Sequence, residues 1–342
     1  MSENNTPSRS SEIVLQALRE YYAIEGILSR LPGENLNYLV QTKTGEKYIA
    51  KIAGEEMPAE LIDMEQAALQ HAVRAQLRLL FPQIIVNKLG NYETGIYFLK
   101  KSCNRLRVLH YIDGTNLSEI ADISILLRFN LGETLARFDQ VMAGFDHPAA
   151  HRRHRWDLAA AGQHRAETEG VADPEKRALL IWAFSQMANC VSPVLPSLPW
   201  QFIHGDANPE NIRVAGDRVV GLLDFGDSCY NPAVCDLAIC LAYQMMDQAD
   251  PWSAAAPVIA GYESVRPLAS CERRVLLPLV CGRLAVTISV ASERRRIDPD
   301  NANWFVSENP AWRLLSYLQS SGNVSFPLHY PARAVSRAER PS

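Results

Sequence analysis

The chain of 342 residues has no CxxC pair, no zinc-ligand rhythm, no basic stripe and no long apolar run. Each absence removes a class of protein. Its seven cysteines, Cys103, Cys190, Cys229, Cys235, Cys240, Cys271 and Cys281, are scattered and odd in number. That pattern predicts free thiols in a reducing compartment rather than a disulfide framework. The formal net charge is −4. The two basic runs, Arg152-Arg153-His154-Arg155 and Arg294-Arg295-Arg296, are too short for a polynucleotide groove and read as solvated helix faces or anion contacts. No nucleic-acid partner is expected. No apolar run approaches the roughly 20 residues of a membrane helix, so no membrane is expected either. The opening MSENNTPSRSSE is polar, lacks the apolar core of a signal peptide and is expected to be disordered through residue 12. The expected compartment is the cytoplasm.

What is present is apolar content of 47%, enough for one large domain or two lobes sharing a cleft. SEIVLQALREYY has helical periodicity. The segments AIEGILSRL, NYLVQTKTG and EKYIAKIAG alternate and are separated by turn residues at Pro32-Gly33 and Thr44-Gly45, which predicts three antiparallel strands. A helix is expected over residues 60–80, then strand-like pieces at IIVNKLGNYET, GIYFLKK and RLRVLHYIDG. From Leu117 onward the pattern is helical except at WQFIHGDANPENIRV and VVGLLDFGD. The expected fold class is α+β, with a sheet-rich front part over residues 13–110 and a mainly helical remainder over 111–325. Residues 326–342 are expected to form a loose tail.

The chemistry concentrates in FIHGDANPENI and VVGLLDFGD. An apolar approach ends in His204-Gly205-Asp206, Asn211 lies five residues beyond the aspartate, and a second apolar strand delivers Asp224. Metal-assisted phosphoryl transfer needs such a set. One carboxylate, Asp206, steers the proton of an attacking hydroxyl. Hard oxygen ligands from Asn211 and Asp224 hold Mg²⁺ against nucleotide phosphates. Each short motif alone is an ordinary loop; their order and spacing together are not.

Upstream, the alternation of KYIAKIA sets Lys51 among small and apolar neighbours, where a lysine is unfavourable unless an anion meets it. Glu65 lies beside the apolar face of the following helix. A strand lysine paired with a helix glutamate positions the α- and β-phosphates in kinase-type sites, so the pair Lys51–Glu65 is expected to do this here. The loop LPGENLNY could turn its backbone amides, near Asn35, towards phosphates, although it matches neither GxGxxG nor GxxxxGK[ST].

These residues resemble the aminoglycoside phosphotransferase and choline kinase superfamily, the small-molecule branch of the protein-kinase-like fold. The resemblance rests on His204-Gly205-Asp206, Asn211 and Asp224 and covers about residues 24–318. It implies a two-lobed fold with ATP or GTP under a small antiparallel-sheet lobe and against a hinge at Leu109, His110 and Tyr111. The segments ARFDQVMAGFDHPAAHRRHRWDL, DFGDSCYNPAVCDLAICLAY and PLVCGRLAVTISVASERRR are similar to the hydroxylysine kinase branch. The branch implies 5-hydroxylysine, or a related small hydroxylated amine or amino acid, as acceptor. It also implies that any class III aminotransferase or phospholyase partner is a separate polypeptide.

A zwitterionic acceptor needs carboxylates for its ammonium and a cation for its carboxylate. Asp227 and Asp157 are candidates for the first, Arg283 for the second, and Trp156 for a platform. Asp236 begins an apolar helix and reads as a helix cap or a buried partner of the His204 loop. Homoserine, choline or ethanolamine, and aminoglycosides remain alternative acceptors, and a nucleotide-binding regulator without chemistry is the alternative of another class. A protein kinase is disfavoured, because the chain lacks an HRD form and an APE-like segment.

Overall fold

The computed structural model of the chain describes residues 9–31, 36–77, 79–98, 103–323 and 325–326. These fall in two compact units, one within Met1–Gln70 and Phe81–Asp113, the other within His71–Leu80 and Gly114–Ser342.

The first unit opens with helix α1, Arg9–Ala17, whose first turn lies within the stretch expected to be disordered through residue 12, and it runs on through a π-helical turn, Leu18–Tyr22. Its five-stranded sheet contains β1 (Gly26–Arg30), β2 (Leu36–Thr42), β3 (Lys47–Ala53), β4 (Thr94–Tyr97) and β5 (Cys103–His110), in the order β1-β2-β3-β5-β4. Every pairing is antiparallel. Strand period two sorts the side chains. Tyr38, Ala50 and Val108 stand in one cross-strand row and enter the core with Val14, Leu18, Val40, Ile52 and Leu106. One residue along, the row on the opposite face is Asn37, Lys51 and Arg107.

Helix α2, Ala59–Arg74, follows β3. It stops short of the expected Leu80 because Gln76 takes a left-handed φ of 51°, which no helix interior accommodates. The expected strand IIVNKLGNYET is mostly a loop. Ile84 makes a single bridge to Leu109, and Asn87 Oδ1 then accepts the N–H groups of Leu89 (2.9 Å) and Asn91 (3.0 Å). An asparagine side chain that bonds its own downstream backbone competes with strand pairing.

The second unit contains β6 (Thr115–Asn116), α3 (Ile125–Met142), α4 (Pro174–Gln186), β7 (Trp200–Ile203), β8 (Ile212–Ala215), β9 (Arg218–Leu222), β10 (Cys229–Pro232), α5 (Val234–Met245), α6 (Pro251–Val265), α7 (Ser270–Ile297) and α8 (Glu308–Ser321). Two small sheets, β6-β8-β9 and β10-β7, carry the loops that hold the chemistry. Helices α3 and α6 cross at backbone contact. A Cβ on Gly132 would lie 1.9 Å from Val258 O, and one on Gly261 would lie 1.9 Å from Phe129 O.

By length and composition α7 is apolar enough to cross a membrane, contrary to the expectation from the bare sequence, but 94% of its most apolar stretch is buried inside the protein. It serves as the core helix of this unit.

Candidate active site

The site grows from three consecutive backbone turns. Strand β7 ends at Ile203 and leads into His204, Gly205 and Asp206. Gly205 has φ +77°, and a Cβ there would sit 2.6 Å from Asp227 O, so only glycine fits. A 3₁₀ turn, Pro209–Asn211, then leads into the β8–β9 hairpin, whose two-residue turn, Gly216-Asp217, places Gly216 at φ +57°. Past β9, Asp224 itself has φ +58°. A left-handed aspartate is strained unless its surroundings fix it.

Asp206 is held on both carboxylate oxygens. Asn208 Nδ2 (2.8 Å) and Asn211 Nδ2 (2.9 Å) donate to Oδ2, and Arg283 Nη2 (2.9 Å) donates to Oδ1. Asn211 Nδ2 also donates to Asp206 O at 3.0 Å. The Asn211 amide therefore meets Asp206 through its nitrogen, and its Oδ1 takes no part in these two bonds.

His204 is fully buried. Its Nε2–H donates to Leu223 O at 2.8 Å, so Nδ1 is the acceptor for the Asp206 N–H at 3.3 Å. Both nitrogens are thereby engaged in shaping the loop. Asp236, buried at the start of α5, accepts the N–H groups of His204 (2.8 Å) and Gly205 (2.7 Å). Behind it lies the buried Asp139, to whose Oδ2 Tyr262 donates. Burial, and next the Asp236 charge, push the Asp139 carboxyl well above the usual carboxylate range.

Asp227 completes an acidic group. Burial, then the charges of Asp206 and Asp224, push its carboxyl up to about 7. The charges of Asp206 and Asp224 acting on Asp227 make this place strongly anionic, and carboxylates are hard oxygen donors of the kind Mg²⁺ prefers. Among the described residues no three His, Cys, Asp or Glu are grouped closely enough to hold a metal by themselves. A cation here would therefore lean on Asn211 and on oxygens from outside the chain.

The other expected residues fall as follows. Arg283 is 1% exposed, donates from Nη2 to Asp206 and to Tyr243 Oη (3.1 Å), and packs over the rings of Trp156 (4.6 Å) and Tyr243 (5.5 Å). Trp156 thus stands beside the site. Asp157 is buried, and its Oδ1 accepts from Asn231 Nδ2 (2.9 Å) and the Ala160 N–H (3.2 Å), which commits that oxygen to the fold.

In the first unit Glu65 forms an ion pair with Arg107 (2.9 Å), both side chains being nearly fully buried. Arg107 is the direct cross-strand neighbour of Lys51, so the sheet sets both cations on the face beside Glu65's partner row. At the expected hinge, the His110 N–H donates to Gln83 O (2.9 Å) and the Tyr111 N–H to Lys47 O (3.3 Å), so neither is available to a purine; Leu109 is buried. Asn35 lies outside the described residues.

Two residues escaped sequence reasoning because RRHR reads as a solvated face. Arg152 Nη2 donates to Gly226 O (2.6 Å), and His154 Nδ1 lies 3.7 Å from Asp227 Oδ1.

Residues 28–269 match the phosphotransferase enzyme family, APH. The chain belongs to this family. It is a phosphotransferase, a small-molecule kinase with a hydroxyl group as acceptor. Hydroxylysine kinase of Xenopus laevis is 25% identical over 93% of this chain and 92% of that protein. Hydroxylysine kinase of Mus musculus is 28% identical over 64% of this chain, a match spanning 61% of the mouse protein. Homoserine kinase of Gluconobacter oxydans is 28% identical over 74% of this chain and 77% of that protein.

Among solved structures, a microcompartment-associated aminopropanol kinase superposes with TM-score 0.72 at 17% identity, covering 92% of this chain and 99% of that one. Amicoumacin kinase hAmiN, in complex with AMP-PNP, Ca²⁺ and Ami, gives 0.69 at 15%, covering 94% and 96%. These likenesses establish the kinase-like fold, with its antiparallel sheet in the N-terminal part and helices in the C-terminal part.

Proposed function

We propose that the chain transfers the γ-phosphoryl of ATP or GTP to a hydroxyl of a small hydroxylated amine or amino acid, with 5-hydroxylysine as its first acceptor. The observation that carries this is the bound state of Asp206. Two amides and one guanidinium fix the carboxylate, and Oδ1, which accepts from Arg283, keeps a lone pair for an incoming hydroxyl.

In this role Asp206 orients the acceptor hydroxyl and takes its proton as the new O–P bond forms. The γ-phosphoryl leaves the β-phosphate oxygen, which keeps the electrons of the broken bond. Such transfer depends on positioning and charge neutralisation, so no covalent enzyme intermediate is needed. Asn211 and Asp224 hold Mg²⁺, which when bound offsets the charge of the nucleotide phosphates. Lys51 is assigned to those phosphates, with the Arg107–Glu65 pair fixing the sheet row beside it. Leu109 is assigned to the purine.

The near full-length match to a hydroxylysine kinase supports the acceptor. Homoserine is the second reading, favoured by the homoserine kinase match over 74% of the chain. The test is nucleotide turnover with ATP and with GTP against 5-hydroxylysine, homoserine, ethanolamine, choline and an aminoglycoside. Turnover on none of them, with nucleotide affinity intact, would favour a non-catalytic regulator. Asp206→Ala should lose nearly all transfer and still bind nucleotide; wild-type-like transfer would remove Asp206 from this role.

A further inference from the structure

The ion pair between Asp206 and Arg283 is the inner end of a longer arrangement. Arg283 packs over the ring of Trp156 at 4.6 Å, and Arg294 packs over the same ring at 5.3 Å. Arg294 also lies over the ring of Trp304 at 5.5 Å. With the 2.9 Å bond from Arg283 to Asp206, these contacts make one column in which guanidinium and indole alternate: Asp206, Arg283, Trp156, Arg294, Trp304. Its outer end is the 3₁₀ turn Ala302–Phe305, in the segment after α7.

Helix geometry accounts for the column. Arg283 and Arg294 are eleven residues apart on α7. Eleven residues are about three turns, so the two side chains leave the same face of the helix about 16 Å apart. Both reach one indole, which is therefore held between them along the helix axis. Arg155, the neighbour of Trp156, meets Glu293, the neighbour of Arg294, at 3.8 Å and docks the same segment on the same stretch of α7.

A guanidinium on a long stem has many rotamers and takes its place from what it touches. For Arg283 these contacts are Asp206, the Tyr243 hydroxyl (3.1 Å) and the rings of Trp156 and Tyr243. Cation–ring contacts strengthen when desolvated, and Arg283 is buried. A shift of the Trp156 ring therefore moves one wall of the group that fixes Asp206 Oδ1.

We propose that Trp304 is a positioning residue for phosphoryl transfer, setting the Asp206 carboxylate through Arg294, Trp156 and Arg283. This rests on the reading of Asp206 as the base and extends it to a turn at the far end of α7. Phe305, the next residue, is the internal comparison, because its ring packs against Arg295 at 4.2 Å instead.

Two measurements test the column, and the first needs no acceptor. In urea denaturation of the full chain, Trp304→Leu and Asp206→Asn form a double-mutant cycle. Residues without shared partners add, whereas the column predicts a departure from additivity of about threefold or more in the unfolding constant. Phe305→Leu with Asp206→Asn should be additive. In steady-state kinetics with the acceptor turned over fastest, Trp304→Leu should lower kcat about three- to tenfold and leave KM for nucleotide within about twofold. Trp304→Tyr, which keeps a ring, should recover most of the loss, and Phe305→Leu should leave kcat unchanged. In a Trp156→Leu background, Trp304→Leu should cost nothing further. Melting curves verify folding, and Arg294→Gln breaks the same link should Trp304→Leu not accumulate. Additive stabilities, a wild-type kcat in folded Trp304→Leu, or an equal loss in Phe305→Leu would overturn the column. Coupled stabilities in a protein that phosphorylates no acceptor would uphold the column and remove the proposed reaction instead.

Discussion

Asp227 should make the protein less stable above neutral pH than its neutral isostere would. Its carboxyl rises from 3.8 to about 7, by burial first and then by Asp206 and Asp224. The native state therefore holds a proton at pH values where the unfolded chain has released it. Stability then falls as pH rises, from the unfolded value up through the folded one. A shift of about three units corresponds to about 4 kcal/mol in full. The side chain is 35% exposed, however, so solvent screening reduces the effect to about 1–2 kcal/mol. Asp227→Asn removes the charge and keeps the shape.

The assay is urea denaturation of both proteins between about pH 4.5 and 8.5, with chelator and without nucleotide, so that no cation offsets the carboxylates. The groups facing Asp227 are Asp206, Asp224, Arg152, Arg283 and His154, all unchanged in the variant. The two proteins should be nearly equal at the acid end. The Asn variant should be the more stable by about 1–2 kcal/mol above about pH 7.5, while its acceptor affinity falls. A difference independent of pH, or a variant less stable at the alkaline end, would refute the reasoning.

Asp139→Asn, which replaces a carboxyl whose neutral form burial favours, should stay within about 1 kcal/mol of wild type near neutral pH, as read by denaturant titration. Asp236→Asn, by contrast, loses the anionic partner of the His204 and Gly205 N–H groups and should cost about 3 kcal/mol together with most of the transfer activity, read by denaturation and steady-state kinetics. Arg107→Met strands a buried Glu65 charge and should cost about 3–5 kcal/mol in denaturant titration, most of which Glu65→Gln in the same chain restores. Gly132→Ala, whose Cβ would meet Val258 O at 1.9 Å, should lose about 3 kcal/mol or fail to accumulate as folded protein, as monitored by soluble yield and melting temperature.

The elements that sequence made legible are those whose pattern is local. Alternation placed β2 and β3 because Tyr38, Val40, Ala50 and Ile52 recur at period two on one face of the sheet. Asn211 was placed near Asp206 because the two are five residues apart in one turn. What escaped was non-local. Strand β10 is four residues long and includes Asn231 and Pro232, so no apolar signal announces its pairing with β7. Arg107 lies 42 residues from Glu65, and nothing in RLRVLH separates a buried cation from a surface one. The Asn87 loop was mistaken for a strand because Val86 and Leu89 are apolar, yet they are 46% and 71% exposed. His154 hid among arginines, where charge composition speaks for solvent.

Trp156 has two guanidinium groups over its ring, Arg283 at 4.6 Å and Arg294 at 5.3 Å from the centroid. An indole's dipole grows on excitation, so the colour of its emission follows the local field. Nearby positive charge shifts that colour, and a change of charge on Asp206, the anion paired with Arg283, shifts it again. One of the six tryptophans of the chain is thus wired to the charge beside Asp206. Subtracting the spectrum of Trp156→Phe from that of the wild type isolates its light. The enzyme carries a built-in optical gauge of what sits in front of its base, readable without label, substrate analogue or turnover.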